Sequence, residues 1–163
     1  MKLAFILAVI AAPAFADCPD AQDYSRELSD LIAEAQAAQS HTDGRRISGK
    51  MWDVWLRAPD ESAQAVLDAG LRRQTAADYA GALKEFDRLV AYCPTYAEGF
   101  NQRAYVHFLS GNYKKALPDL DEAIRLNPYH VAAQSGRALT LMNLGRIAEA
   151  RAQMLIAVEN NPW

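Results

Sequence analysis

Apolar and polar residues follow a helical period along most of this chain. Apolar side chains recur at intervals of three and four residues, which places them on one face of an α-helix. The clearest example is the stretch 97–130, where two apolar stripes flank the break Ser110-Gly111-Asn112. The stripes are formed by Phe100, Ala104 and Phe108, and then by Ala116, Leu120, Ala123 and Ile124. Because Pro128 ends the second stripe, the pattern predicts two antiparallel helices joined by a tight turn.

The hairpin pattern recurs in register on both sides of residues 97–130. Prolines end three successive units at a spacing of 34 residues, at Pro94, Pro128 and Pro162. Small residues recur at matching positions of the three units: Gly70 and Ala82, then Ala104, Ala116 and Ala123, then Ala138, Ala150 and Ala157. Small side chains at these positions allow neighbouring helices to approach closely. The sequence therefore predicts three stacked hairpins, over residues 63–96, 97–130 and 131–163.

This pattern resembles the tetratricopeptide repeat (TPR), whose units are helical hairpins of about 34 residues. The family pattern has two aromatic positions, one bulky position and a closing proline. In this chain these positions hold Phe100 and Tyr113, Leu120 and Pro128. The resemblance implies an all-α fold, an α-solenoid of antiparallel helical hairpins. Residues 63–163 would hold three clear TPR-like repeats, preceded by a degenerate N-terminal hairpin over residues 17–62.

The segment 17–62 has helical periodicity but departs from the repeat pattern. Its apolar stripe consists of Leu28, Leu31, Ile32 and Ala35. A short second helix is expected over residues 51–56, before Pro59. Its two tryptophans, Trp52 and Trp55, fit core packing better than the alternative, an exposed platform for a ligand. We expect this hairpin to cap the stack.

The first 16 residues have the features of a secretory signal peptide. Lys2 precedes an unbroken apolar run, and Ala14-Phe15-Ala16 forms a small-residue cleavage site, so cleavage is expected after Ala16. The alternative is a buried or membrane-spanning helix, but the run is shorter than the about 20 residues that span a bilayer. We therefore expect an exported bacterial protein, periplasmic or secreted, whose mature chain has no integral membrane segment.

Charge and motif content argue against several classes of function. The chain carries 17 Lys and Arg against 20 Asp and Glu, a net charge of −3, without a block of like charge. This balance gives no support for a nucleic-acid partner or an anionic membrane. The histidines are scattered, and the sequence has no phosphate loop, nucleophile elbow or HExxH motif. We expect a protein that is not an enzyme and that uses no cofactor and no metal.

Two cysteines, Cys18 and Cys93, are the only ones in the chain. In an array of alternating hairpins, the second helices end at the edge where the first helices begin. Cys93 and the leader that carries Cys18 would therefore share an edge. Because an exported protein meets an oxidising compartment, we expect a disulfide between them. The alternative is two unpaired thiols.

The resemblance also implies a groove lined by the first helices of successive repeats. The residues that would line it include Asn101, Tyr105, Phe108, Leu139 and Met142. The basic residues that some TPR proteins use to bind a terminal carboxylate are missing from these positions, so a carboxylate-clamp function is not expected. Amide, aromatic and thioether groups suit an extended or helical apolar peptide. The alternative is that Tyr105 and Phe108 pack within the array.

Two arginines occupy a position that is usually leucine in TPR units. Arg103 and Arg137 would lie between helices, and a buried charge requires a partner. Asp119, Asp121 and Glu122 are the candidate partners for structural ion pairs. The alternative is an anion site formed by Arg103, Arg137 and His107.

The last helix carries apolar residues where the earlier repeats carry charges. Leu155 and Ile156 replace Asp121 and Glu122 of the preceding repeat. Together with Met154, Val158 and Trp163 they predict an apolar interface, either with a second copy of the chain or with another protein. The alternative is that Trp163 folds back and covers the helix.

These observations favour a scaffold or adaptor that binds a protein or peptide client in the bacterial cell envelope. One alternative is a self-associating structural module without a separate client. The other is a protein that binds an anion or small molecule through Arg103 and Arg137.

Overall fold

A computed structural model of the chain describes residues 17–163, and the predicted signal peptide, residues 1–16, lies outside the described residues. Within the described range the chain forms eight α-helices and no strand. The helices are α1 (Ser25–Ala37), α2 (His41–Trp55), α3 (Glu61–Thr75), α4 (Tyr79–Tyr92), α5 (Ala97–Leu109), α6 (Tyr113–Leu126), α7 (Val131–Asn143) and α8 (Ile147–Asn160). The all-α solenoid predicted from the sequence is confirmed.

Helices α3 to α8 form three antiparallel hairpins that pack in chain order. Each hairpin turns through a residue with positive φ: Ala77 (58°), Gly111 (70°) and Gly145 (76°). Glycine adopts this conformation without steric cost, whereas a residue with a side chain loses about 1 kcal/mol. The first repeat therefore keeps the turn of the family but not its glycine.

Small and large side chains alternate in the core between the helices of each hairpin. Ala82, Ala116 and Ala150 occupy equivalent buried positions on the second helices. A Cβ atom at Gly70 would lie 2.3 Å from the Phe86 ring, so only glycine allows α3 and α4 to approach this closely. Small residues at these points set the spacing of the helices, as the sequence pattern predicts.

The N-terminal hairpin, α1 and α2, does not pack ahead of α3 as a further repeat. Helix α1 packs against α8, at the opposite end of the array, and the core of the hairpin includes Val131 at the start of α7. The indole Nε1 of Trp163 donates a hydrogen bond of 2.7 Å to the backbone oxygen of Ala35. The expected position of this hairpin is therefore wrong: it lies along one edge of the solenoid, where the first helices begin.

The two tryptophans of α2 have separate environments. Trp55 is buried in the core of the hairpin and stacks on His130, with 4.4 Å between ring centroids. Its backbone oxygen accepts a 2.7 Å hydrogen bond from the hydroxyl of Tyr96, and burial raises the pKa of Tyr96. Trp52 is partly exposed and meets Trp55 edge to face. The prediction that both tryptophans pack in the core is therefore correct for Trp55 and wrong for Trp52.

Candidate peptide-binding groove

The first helices of the three repeats, α3, α5 and α7, line a pocket of about 460 Å³. Five large apolar side chains of the repeats form much of its wall: Leu71, Tyr105, Phe108 and Leu139 of the first helices, and Leu120 of α6. Trp52 of α2 adds a sixth, because the N-terminal hairpin reaches this side of the array. We call this pocket the groove.

Four of the five residues predicted for the groove line it, namely Asn101, Tyr105, Phe108 and Leu139. Met142 is exposed but is not part of the lining. Phe108 also contacts Tyr113 edge to face, with 5.3 Å between ring centroids, so it serves both the array and the groove. The contribution of Trp52 could not be read from the sequence, since it depends on where α2 packs.

The rest of the lining consists of polar, uncharged residues and of small residues. The polar residues are Gln74, Asn101, Gln102, Ser135 and Thr140, and the small ones are Ala104, Ala132 and Gly136. Among the described residues that line the groove there is no lysine, arginine, aspartate or glutamate. The groove can therefore bury apolar side chains and exchange hydrogen bonds, but it offers no charge to recognise an acidic or basic ligand.

A buried carboxylate lies beside the groove, at the start of α5. Glu98 accepts hydrogen bonds from the amide groups of Asn101 (3.0 Å) and Gln102, and its Oε2 lies 2.7 Å from Nε2 of His130. Asn101 is only 5 % exposed, because its amide group turns towards Glu98. Asn101, which the sequence predicts to line the groove, therefore does so with most of its side chain buried.

His130 connects this carboxylate to the next repeat. Its Nδ1 accepts a hydrogen bond from the backbone nitrogen of Ala133 (3.3 Å), which caps the start of α7. With Nδ1 as acceptor, Nε2 carries the proton and donates to Glu98. The cap and the hydrogen bond to Glu98 thus fix both nitrogens of the ring.

The two arginines form a regular series of contacts between repeats. Arg103 donates two hydrogen bonds to Asp119 (2.9 and 2.6 Å) and one to Asp87 of the preceding repeat (3.0 Å). These bonds to Asp119 raise the pKa of Arg103. Each contact therefore joins either the two helices of one repeat or two successive repeats.

The same arrangement recurs one repeat later. Arg137 donates to Asp121 of the preceding repeat (2.6 Å) and to Gln153 of its own repeat (3.1 Å). Glu122, the third candidate partner, instead accepts from Arg125 on its own helix.

These contacts do not fit the alternative of an anion site. The nitrogens of Arg103 that donate are directed at carboxylates, and Arg137 is paired in the same way. Burial lowers the pKa of His107, so the imidazole is neutral at neutral pH and adds no positive charge. The arrangement is that of structural ion pairs, and the anion-site interpretation of Arg103, Arg137 and His107 is corrected accordingly.

The apolar residues predicted for the C-terminal interface divide into two groups. Leu155, Ile156 and Val158 are exposed on α8, and Met154 is half-buried. Trp163 does not join them, nor does it cover α8. It packs on Gly44 and Ala35 of the N-terminal hairpin, because the hairpin passes the end of α8.

Cys18 and Cys93 form a disulfide, with 5.2 Å between their Cα atoms. Cys93 follows α4 and is buried in the core of the first repeat. The bridge ties the leader that precedes α1 to the edge of the array, where the backbone nitrogen of Ala21 also donates to Thr95.

Within residues 17–163, no group of three or more His, Cys, Asp or Glu side chains could hold a metal ion. In the same part of the chain, no helix combines the length and apolar character that crossing a bilayer requires.

Stacked antiparallel hairpins around an uncharged groove define an α-solenoid repeat protein. A model of the tetratricopeptide repeat family matches residues 67–130 and again residues 101–162, which together exceed half of the chain. The chain therefore belongs to the tetratricopeptide repeat family.

Known proteins resemble the repeat region. A TPR repeat-containing protein of Rhizobium etli is 41% identical over 64 residues, which cover 39% of this chain and 31% of that protein. The chain thus matches less than a third of the length of this relative.

Solved structures share the fold at low sequence identity. The first TPR of Spaghetti (RPAP3) bound to HSP90 peptide SRMEEVD superposes with a TM-score of 0.60 at 21% identity, covering 61% of this chain and 79% of that chain. MamA superposes with a TM-score of 0.56 at 20% identity, covering 85% of this chain and 76% of that chain. At these identities the likeness establishes the fold alone.

Proposed function

We propose that this protein is a scaffold or adaptor of the bacterial cell envelope that binds an apolar segment of a client protein in the groove. The observation that carries the proposal is the lining: large apolar side chains around a volume of about 460 Å³, with no charged residue among them. Exposed apolar surface of this kind on a folded domain marks a binding site.

The chemistry of the lining specifies the client. The TPR of Spaghetti has a bound peptide, SRMEEVD, with three acidic residues among its last four. The groove of this chain offers no positive charge to such a peptide. Its aromatic and aliphatic wall, Tyr105, Phe108, Leu139 and Trp52, instead suits a peptide with two or three apolar side chains.

Two observations support the export part of the proposal. Residues 1–16 have the composition of a signal peptide. The bridge between Cys18 and Cys93 is a structural disulfide, which persists in the periplasm or outside the cell but is rare in the cytosol.

Site-specific photo-crosslinking tests the groove. p-Benzoylphenylalanine placed at Tyr105 or Leu139 should capture the same client in bacterial envelopes, because both side chains line the groove. The matched control is Lys84, an exposed residue of α4 outside the lining. Equal capture from Lys84, or no capture from either groove position, would contradict the proposal.

Peptide binding tests the client chemistry. In fluorescence polarisation, an apolar peptide taken from the crosslinked segment should bind, and Leu139→Asp should weaken its binding by about tenfold or more. The peptide SRMEEVD should not bind. Preference for the acidic peptide would overturn the proposed specificity.

The N terminus of the mature protein tests export. Mass spectrometry of the protein recovered from the periplasm should show a chain that begins at Asp17, without free thiols. A full-length cytoplasmic protein with reduced cysteines would contradict this part of the proposal.

A further inference from the structure

The outer face of α8 exposes large apolar side chains, unlike the same face of α4 and α6. Ala150, Gln153 and Ala157 pack against the array. On the opposite side, Leu155 is 64% exposed, and Val158, three residues further on, is 49% exposed. Such side chains on one helix face mark a contact surface rather than a solvated one.

The arginine series shows how α8 differs from α4 and α6. Asp87 of α4 and Asp121 of α6 each accept a hydrogen bond from the arginine of the following repeat. Leu155 occupies the equivalent position of α8. A leucine cannot pair with an arginine, so this face fits an apolar partner rather than another repeat of the same kind.

Charges flank Leu155 symmetrically on this face. Arg151 lies four residues before Leu155 and Glu159 four residues after it, and both are exposed. Four residues correspond to about 6 Å along a helix, a little more than one turn, so all three side chains lie on one face. Within the described residues, neither charged side chain has an ion-pair partner.

We propose that α8 binds α8 of a second copy of this chain. In an antiparallel pair, the two-fold axis would pass beside Leu155. A residue a given number of positions before Leu155 then faces the residue of the partner subunit that lies the same number of positions after it. Arg151 then lies opposite Glu159 of the partner subunit, and Glu159 lies opposite Arg151 of the partner subunit. The arrangement is isologous, buries Leu155 against its own copy and pairs both charges.

The size of the surface sets the expected affinity. A standard interface buries about 800 Å² of surface on each partner, and one helix face buries less than this. The dimer should therefore be reversible, with a dissociation constant in the range of about 1 to 100 µM.

Sedimentation equilibrium of the oxidised chain from residue 17 tests the proposal. The wild-type protein should pass from monomer to dimer as its concentration rises to about 500 µM, well above the expected dissociation constant. Leu155→Asp should leave it monomeric, because two carboxylates would face each other at the axis. The helical content and melting temperature should stay close to wild type, since Leu155 is exposed.

Charge reversal then tests the antiparallel geometry. Arg151→Glu and Glu159→Arg should each weaken dimerisation by about tenfold, because either change sets like charges opposite each other at both ends of the interface. The double variant R151E/E159R restores both pairs and should return the dissociation constant to within about threefold of wild type.

The controls separate this interface from the groove. Leu139→Asp changes the groove and should leave dimerisation unchanged, whereas Leu155→Asp should leave capture from Tyr105 unchanged. A wild-type protein that is monomeric at about 500 µM would overturn the proposal. Failure of R151E/E159R to restore dimerisation would also overturn it.

Discussion

Glu98 and His130 are joined by a contact of 2.7 Å between Oε2 and Nε2, and both side chains are only 1% exposed. Glu98 lies in the first turn of α5 and His130 caps the start of α7, so the contact joins two successive repeats. Trp55 of the N-terminal hairpin stacks on the imidazole. The polar pair is buried because the hairpin covers the edge of the solenoid.

Removal of the carboxylate should be among the costliest single changes in this chain. Glu98→Ala leaves His130, Asn101 and Gln102 without their acceptor in a buried site. We expect a loss of about 3–5 kcal/mol in the free energy of unfolding, measured by urea denaturation. The matched control, Glu61→Ala in the first turn of α3, should cost less than about 1 kcal/mol. Equal effects of the two changes would show that the Glu98 cluster contributes no special stability.

Two glycines of α2 should respond oppositely to alanine. A Cβ atom at Gly44 would lie 2.1 Å from the Trp163 ring, whereas one at Gly49 would meet nothing within 4 Å. Gly44→Ala should therefore destabilise the protein by about 1–3 kcal/mol by displacing Trp163. Gly49→Ala should stabilise it by about 0.5–1 kcal/mol, because alanine favours the helix.

Trp163→Ala supplies the second half of this test. When the indole is absent, Gly44→Ala should no longer destabilise the protein. The effects of the two changes on stability, measured by thermal melting of the single and double variants, should therefore not be additive. If the two changes add independently, the C terminus does not pack on α2.

The two arginines should differ in their contribution to stability. Arg103 forms an ion pair with Asp119, whose side chain is 10% exposed. Arg137 forms an ion pair with Asp121, whose side chain is 51% exposed. Arg103→Ala should cost about 1–3 kcal/mol, because it leaves a nearly buried carboxylate unpaired. Arg137→Ala should cost less than about 1 kcal/mol, as for an exposed ion pair. Chemical denaturation of both variants would refute the distinction if Arg137→Ala were the costlier change.

The disulfide should stabilise the fold without being needed to form it. The bridge joins residues 75 positions apart, and closing a loop of this length contributes about 4 kcal/mol in the loop-entropy model. Reduction should lower the melting temperature, while far-ultraviolet circular dichroism below the transition stays helical. The variant Cys18→Ser should melt as the reduced protein does and should not respond to reductant. A melting temperature that is independent of reductant in the wild type would contradict a bridged native state.

Periodicity determined the repeat array from the sequence alone. The prolines at Pro94, Pro128 and Pro162 and the small residues between them are local signals that recur at a fixed spacing. Each repeat contacts mainly its neighbours, so a local pattern is enough to specify the stack. Asp119 and Asp121 could be named as partners of the two arginines for the same reason, because equivalent positions of adjacent repeats lie close together. The contacts with Asp87 and Gln153, in contrast, were not predicted.

Only the tertiary structure decided where the N-terminal hairpin lies. Its contact between Trp163 and Ala35 joins residues separated by 128 positions in the chain, and a single contact at that distance leaves no periodic trace in the sequence. Three further features depend on this placement: the burial of Glu98, the stacking of Trp55 on His130 and the contribution of Trp52 to the groove. Burial and partners are properties of the packed molecule, whereas periodicity is a property of the chain.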